Sequence, residues 1–506
     1  MKKFYLTTAI AYVNAGPHLG HALEFVQADA LARYHVLNGD DTYFLTGTDE
    51  HGMKIYEKAQ EEGKEVSKFV DDNAALFVDL TKSLNLSNDD FIRTSSDLHK
   101  AGAAKLWMKM FDRGDIYKGV YSGNYCVGCE SFIPDKDLDE EGNCPIHKRK
   151  PVKLEEENYF FKLSKYSDQV KQAILDDRLL IVPESRKKEM LNIIGEEGLR
   201  DVSFSRPKES LPWGVPVPND ESQVMYVWCD ALSNYITALG YAEDGELVSD
   251  YWPCDVHLIG KDILRFHAGV WIGMLLSAEL ELPKAIFVHG FVTSEGEKMS
   301  KSLGNVVDPV AYLNEFGPDA LRYYLLREIP TTDDGDFSRT KFIDLYNSEL
   351  ANNLGNLLNR VVMMTDRYLE GKIPQVTGIE DNNCHLKIET VLERYHKSFE
   401  KFDLRLACEN ILELVNFANK YIDDKKPWNL AKEESEELPA VLYNLLEILR
   451  FVGVMMLPII PEKAGQVLES VGVDLDAELN LDLQWGNFSE GAVVRKIDVL
   501  FPRIEL

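Results

Sequence analysis

With 506 residues, 45% of them hydrophobic and 27% charged, the chain is long enough for two or three domains around a large core. Its 55 Lys and Arg against 84 Asp and Glu leave a formal charge of −29, which excludes diffuse nucleic-acid binding, because that affinity comes from many cationic contacts to phosphates. No apolar run reads as long enough to span a bilayer, no signal-peptide pattern opens the chain, and four of the seven cysteines stand singly (Cys229, Cys254, Cys384, Cys408), so reduced thiols and a cytoplasmic location are expected.

Residues 3–13 form a β-rich apolar run, and after them Leu19, Leu23, Val26, Ala30, Tyr34 and Leu37 recur at steps of three and four. Between lies Tyr12-Val13-Asn14-Ala15-Gly16-Pro17-His18-Leu19-Gly20-His21, a tight turn opening a helix. Gly16 and Gly20 permit close backbone approach, and the helix start offers N–H groups and a positive dipole end to a phosphate. His18 and His21, three residues apart, present two rings to one group, each able to donate a hydrogen bond. A second strand over 41–46 ends in Gly47-Thr48-Asp49-Glu50-His51-Gly52, giving β-α-β and the start of a parallel sheet. Helical periodicity over 66–84 and 98–111 flanks a strand at 90–94. Tyr12 and Asp49 both fall at C-terminal strand ends, where open parallel sheets bind ligands.

From about residue 115 the character changes. Cys126-Val127-Gly128-Cys129 is followed by Cys144-Pro145-Ile146-His147, two knuckles whose three thiolates and one imidazole suit tetrahedral zinc. Four protein ligands close the coordination sphere, so such an ion is structural and folds a small insert. Further on, residues 224–235 and 256–267 each read as a strand running into a helix, with Cys229 as strand core; Trp228, Ala231 and Tyr235 share a face in the first unit, Ile263, Phe266 and His267 in the second. Phe291 to Asn305, containing Lys298-Met299-Ser300-Lys301-Ser302, is a strand, a glycine turn and a basic loop. After Pro309 strands are expected to disappear, leaving helical periodicity over 318–326, 341–369, 404–422 and 438–456. Asn352, Asn356 and Arg360 are spaced by four along one helix, and Pro427-Trp428 breaks a later one.

The HLGH turn and the KMSKS loop, in that order and each after a strand, resemble the paired signatures of class I aminoacyl-tRNA synthetases. With the flanking segments, the resemblance narrows to the methionyl-tRNA synthetases and runs nearly end to end. It implies an α/β fold: a Rossmann-type parallel-sheet catalytic domain in two halves (1–114 and 208–325), a small zinc-binding insert (115–207), and an all-α anticodon-binding domain (326–506). The implied partners are ATP with Mg2+, L-methionine and tRNA(Met). By residue, the resemblance places methionine among Ile10, Tyr12, Asp49, Trp228, Ala231, Leu232, Tyr235, Ile263, Phe266 and His267, with Asp49 on the ammonium and Tyr12 over the side chain. It places ATP phosphates at His18, Gly20 and His21, the ribose at Glu24 and Asp262 near Gly260, and the triphosphate at Lys298, Ser300 and Lys301. Zinc falls to Cys126, Cys129, Cys144 and His147, and the anticodon to Asn352, Asn356, Arg360 and Trp428. Where the family often has proline this chain has Ala11.

The large editing domain of the isoleucine, valine and leucine relatives does not fit in the hundred-residue insert. A cysteinyl-type enzyme would need thiolate or imidazole ligands beside the HLGH turn, and residues 10–16 contain none. A catalytically silent tRNA-binding homologue is opposed by the intact histidines and loop lysines, and a small-molecule adenylyltransferase would not explain the helical C-terminal region. The chain stops soon after Phe501-Pro502-Arg503 without an oligonucleotide-binding appendix, from which a monomer is expected.

Overall fold

Seven parallel strands carry the site in the computed structural model, which describes residues 1–126, 131–133, 135–146, 148–294, 296–298, 307–374, 382–475, 479–481, 483–489 and 491–505. They are β1 (Lys3–Thr8), β2 (Ala11–Tyr12), β3 (Asp41–Asp49), β4 (Asp90–Arg93), β5 (Leu180–Val182), β6 (Val256–Gly260) and β7 (Ala285–His289). All pairings are parallel: β4 lies on β3, β3 on β1, β1 on β6, β6 on β7 and β7 on β5. Every residue of β6 and β7 is buried, as expected of strands covered on both faces. Alternate side chains feed two cores. Phe4, Leu6, Leu258 and Phe287 face the helix α1 (Leu19–Leu37), while Ile259, Ile286 and Val288 face Trp107 and Trp271.

The single apolar run expected over 3–13 is interrupted. Thr7 pairs with Leu45 but Ala11 pairs with Thr48, so the strand advances four residues while β3 advances three. Because β4 occupies the opposite edge of β3 at both Leu45 and Thr48, β1 and β2 are one strand with one extra residue between them. Such a bulge re-aims the chain, and here it falls at Ala9 and Ile10.

The insert has its own four-stranded antiparallel sheet, in which Ile116–Cys126 pairs with Val152–Phe161 over ten residues and Ser131–Ile133 and Val202–Ser203 flank them. Leu180–Val182, inside the stretch assigned to the insert, instead forms an edge of the main sheet, and Leu163, Val170, Ile174 and Met190 around it join the Trp271 core. The chain therefore re-enters the catalytic core before residue 207. Strands also do not end at Pro309: Gly335–Phe337 pairs in parallel with Val292–Ser294. Three residues with a leading glycine carry too little alternation to announce themselves.

Helices dominate thereafter, from Pro309–Phe316 to Pro461–Ser470. Leu438–Met456 is apolar apart from Asn444, Glu447 and Arg450, and contrary to the expectation from sequence it is long and apolar enough to cross a membrane; within the fold nearly all of it is buried. Such a helix is a core helix. A buried ion pair ties this region to the sheet: Arg322 Nη2 lies 2.7 Å from Asp29 of α1, and Arg322 also donates to the carbonyls of Pro458, Ile459 and Leu84. With every charge hydrogen-bonded, the burial is tolerated, whereas removing one partner would strand the other.

Candidate active site and RNA-binding face

From β1 the chain crosses through α1 to β3 on one side, while β6 lies on the other. The crevice beyond the C-terminal ends of β1 and β6 is thus the point where the strand order reverses, the usual ligand position in an open parallel sheet. A cleft of about 250 Å³ opens there. Nine of the ten residues expected around methionine line it: Ile10, Tyr12, Asp49, Trp228, Ala231, Leu232, Tyr235, Ile263 and His267. The tenth, Phe266, stands behind the wall, stacked on Trp228 with ring centroids 3.8 Å apart and planes within 7°. Ala9, Lys54, Val227, Asn234 and Asp262 complete the lining. Cys229, expected in strand core, is buried in the short helix Val227–Ala231 instead.

The inner end of the cleft is uncharged by construction. His267 Nδ1 lies 3.0 Å from the Ile263 carbonyl, which only accepts, so Nδ1 carries the proton; Nε2 then accepts from the Tyr235 hydroxyl at 2.6 Å. Burial pushes His267 down to about 4 and Tyr235 well above its ordinary value, so both stay neutral at physiological pH. Among the described residues Trp228 Nε1 and Asn234 Oδ1, both in the wall, have no hydrogen-bond partner.

Asp49, 7% exposed, supplies the charge at the other end. Both following residues are clamped. Glu50 accepts from Arg93 Nε at 2.6 Å, from Thr48 at 2.8 Å and from Ser95, while its carbonyl accepts from Trp213 at 2.5 Å. His51 Nδ1 meets Asp230 at 2.6 Å, and Asp230 meets His99 Nε2 at 2.7 Å. Burial raises the Asp230 carboxyl, yet His51 and His99 outweigh it and hold it down at about 2. The strand end bearing Asp49 is therefore tied to the helix bearing Trp228 and Ala231. Sequence reasoning misses Glu50, His51, His99 and Asp230; the one available signal is an acidic residue inside the apolar Val227-Trp228-Cys229-Asp230-Ala231 run.

At the start of α1, His18 is the N-cap, with extended backbone, rather than a member of its first turn. His18 Nδ1 accepts from the Gly20 N–H and His21 Nδ1 from the His18 N–H, both at 3.1 Å. A main-chain N–H only donates, so each ring keeps its proton on Nε2 and presents a donor outward. The rings stack at 3.9 Å, and a Cβ on Gly20 would come within 2.9 Å of the His18 ring. Burial, with His18 and His289 nearby, lowers His21 well below the usual imidazole range. Glu24, one turn on, bonds His289, and Asp262 reaches the cleft wall just past Gly260. The backbone of Lys298 pairs with Thr293. Ser300 and Lys301 lie outside the described residues, as does the Lys298 side chain.

In the insert, Cys126 closes its strand and Cys144 sits in a turn in which it accepts from Lys148 N–H at 2.8 Å; both are buried. Cys129 and His147 lie outside the described residues.

In the helical region Asn352 falls in a π-helix, Tyr346–Gly355, and Asn356 opens the α-helix Asn356–Leu369. Both are exposed and border a cavity of about 510 Å³ closed by residues 496–503. Arg360 does not border it; Nη2 pairs with Asp423 at 3.0 Å. Trp428, 37% exposed, sits on Pro427–Lys432, so Pro427 starts a helix rather than merely ending one.

The family described as tRNA synthetases class I (M) matches residues 4–151 and 139–362, and the anticodon binding domain of methionyl tRNA ligase matches residues 373–505. A methionine–tRNA ligase of Clostridium tetani is 46% identical over 511 residues, covering 100% of this chain and 79% of the relative. One from Rickettsia conorii is 41% identical, covering 99% of each. Among solved structures, Mycobacterium tuberculosis methionyl-tRNA synthetase in complex with methionyl-adenylate superposes with a TM-score of 0.95 at 39% identity, covering 99% of this chain and 100% of that one. Its apo form gives 0.88 at 36% identity, covering 100% and 99%. Full-length matches of this strength, on a fold whose crevice already gathers the expected residues, make the chain a member of the methionyl-tRNA synthetase family of class I.

Proposed function

We propose that the chain activates L-methionine with ATP to methionyl-adenylate and pyrophosphate, then transfers the methionyl group to the 3′ end of tRNA(Met). The observation that carries this reading is the aromatic cleft, with an uncharged Tyr235–His267 end and Asp49 in its wall, opening on the same strand ends as two Nε2 donors. A thioether has no charge, so shape and sulfur–aromatic contact, about 0.3–1.5 kcal/mol each, must select it. Trp228 braced by Phe266, with Tyr12, Ile263 and the committed Tyr235–His267 pair, supports that role, and Asp49 takes the ammonium.

In the first step a methionine carboxylate oxygen attacks the α-phosphorus and the bond to the β-phosphate bridging oxygen breaks, the electron pair leaving with pyrophosphate. Negative charge spreads over the phosphorus and the leaving group, and donors that engage it most strongly in the transition state accelerate the reaction. His18 and His21 provide such donors through Nε2, with Lys298, Ser300 and Lys301 assigned to the triphosphate from the loop. Glu24 and Asp262, beside Gly260, take the ribose. Magnesium bound with ATP would supply further positive charge to the phosphates.

Zinc is assigned to Cys126, Cys129, Cys144 and His147. The two described thiols fit, being buried at a strand end and a turn, and the ion would fold the insert rather than act in the reaction. Asn352, Asn356 and Trp428 fit recognition of anticodon bases by polar edges and stacking, with Arg360 held by Asp423 until it engages. A cytoplasmic setting fits the buried thiols of Cys229, Cys254 and Cys408, none in a disulfide.

Pyrophosphate exchange into ATP, tested with each amino acid, decides the matter. Exchange should depend on methionine. Exchange driven equally by cysteine or leucine, or by none, would overturn the reading.

A further inference from the structure

One buried histidine at the crevice, His289, has no place in the reaction as described, although it is paired with Glu24. His289 ends β7, next to β6, and its ring is pinned at both nitrogens. Nδ1 lies 2.7 Å from the Gly290 carbonyl, an acceptor only, so Nδ1 carries a proton. Gly290 is closely packed on the 333–334 segment: a Cβ there would meet the Asp333 main chain at 2.2 Å, and the next N–H, of Phe291, donates to Asp334 at 2.8 Å. Nε2 therefore faces Glu24 Oε2, 2.9 Å away, with both side chains largely buried at 7% and 13% exposure.

We propose that His289 is a positioning residue for the nucleotide: it fixes the Glu24 carboxylate as the acceptor of the ribose hydroxyls, bridging the last strand of the site to the helix that carries the two phosphate-facing histidines. This rests on the assignment of the ribose to Glu24. Glu24 is three residues beyond His21 on α1 and shares the crevice with Asp262 and Gly260, whose added Cβ would lie 3.0 Å from Asp262 Oδ1 and 3.7 Å from His289 Nε2. Burial raises the Glu24 carboxyl and Asp262 adds to the rise, while His289 and, less strongly, the Ala9 main chain oppose it. Burial lowers the His289 imidazole, but Glu24, the Gly290 carbonyl and Asp262 together bring it above its ordinary value. With Nδ1 already carrying a proton for the Gly290 carbonyl, the hydrogen bond between Nε2 and Glu24 Oε2 holds one carboxyl oxygen in place. Without the ring, Glu24 would turn or take up a proton and lose an acceptor that a ribose hydroxyl needs.

The experiment is methionine-dependent pyrophosphate exchange with ATP, 2′-deoxyATP and 3′-deoxyATP, run on the whole chain and on His289→Ala, His289→Gln, Glu24→Gln and the His289→Ala/Glu24→Gln double variant. His289→Ala should raise KM for ATP about 10-fold, the scale of a hydrogen bond to a charged group, leave KM for methionine unchanged, and erase the preference for ATP over the deoxy analogues. His289→Gln, whose amide N–H reaches the Nε2 position, should recover much of that preference. The double variant should be no worse than Glu24→Gln. The inference falls if His289→Ala keeps the preference, raises both KM values alike, or adds its full effect to Glu24→Gln. A parent protein that exchanges with methionine but takes 2′- and 3′-deoxyATP as readily as ATP would overturn the ribose assignment as well.

Discussion

The amino-acid cleft and the asparagine face of the helical region spend their polar groups in opposite ways. In and behind the cleft wall, protein partners hold the polar groups: Tyr235 is committed to His267, Asp230 lies between His51 and His99, and Glu50 accepts from three side chains. On the other face Asn352 and Asn356 stand exposed beside the cavity bordered by the C-terminal segment, and Trp428 is 37% exposed. Under the proposed assignments, the contrast follows from what each site would have to tell apart. A missing methylene is worth only about 1–3 kcal/mol in an apolar pocket, so a small thioether demands a rigid wall. Unstacked bases carry donors and acceptors on their edges and a π-face, so polar groups and a ring left outward suffice.

Breaking the catalytic side should have the largest effect. Lys301→Ala should lower the rate of adenylate formation by about 100-fold or more, the scale of losing one preorganised donor, and leave methionine affinity nearly unchanged; stopped-flow single turnovers and equilibrium binding separate the two. Equal losses in both would remove the lysine from the reaction.

The rigidity of the wall is tested next. Asp230→Asn leaves His51 and His99 without their shared carboxylate and should cost about 3–5 kcal/mol of stability, the scale for breaking a buried pair, seen by urea unfolding at neutral pH. Because the Asp230 carboxyl is held down at about 2 in the folded chain, the unfolded chain takes up its proton first as pH falls. Its contribution is therefore present above the ordinary carboxylate value and lost between about pH 4 and pH 2; the variant should lack that component.

A smaller effect is expected behind the wall. Phe266→Ala removes the stack on Trp228, worth about 0.5–1.5 kcal/mol beyond area burial, and should raise KM for methionine several-fold with KM for ATP unchanged. An unaltered KM for methionine would show that Trp228 keeps its position unaided.

Short-range pattern makes much of the catalytic half legible in the sequence. The helix from Leu19 and the turn of His18 and His21 can be read there because apolar spacing and the motifs are local, whereas the nine cleft residues follow only from the resemblance that the motifs carry. What escapes depends on registers and partners far apart in the chain. The bulge at Ala9 and Ile10 exists only as a mismatch between pairings with β3. Glu24 and His289 are separated by 265 positions, and His51 and Asp230 by 179, with no periodicity linking them. Cys229 reads as strand although it is helical, because a short apolar run looks alike in either state, and Leu180–Val182 hides in the insert because three apolar residues do not name their sheet.

If one region activates methionine while the other reads RNA, the two activities must come apart, and Trp428→Ala tests this most directly when methionine-dependent pyrophosphate exchange and tRNA charging are measured on the same preparation. Exchange should stay within about two-fold of the parent while kcat/KM for charging falls about 5- to 150-fold, as losing 1–3 kcal/mol of base stacking requires. Charging at the parental rate, or exchange lost in equal measure, would contradict it.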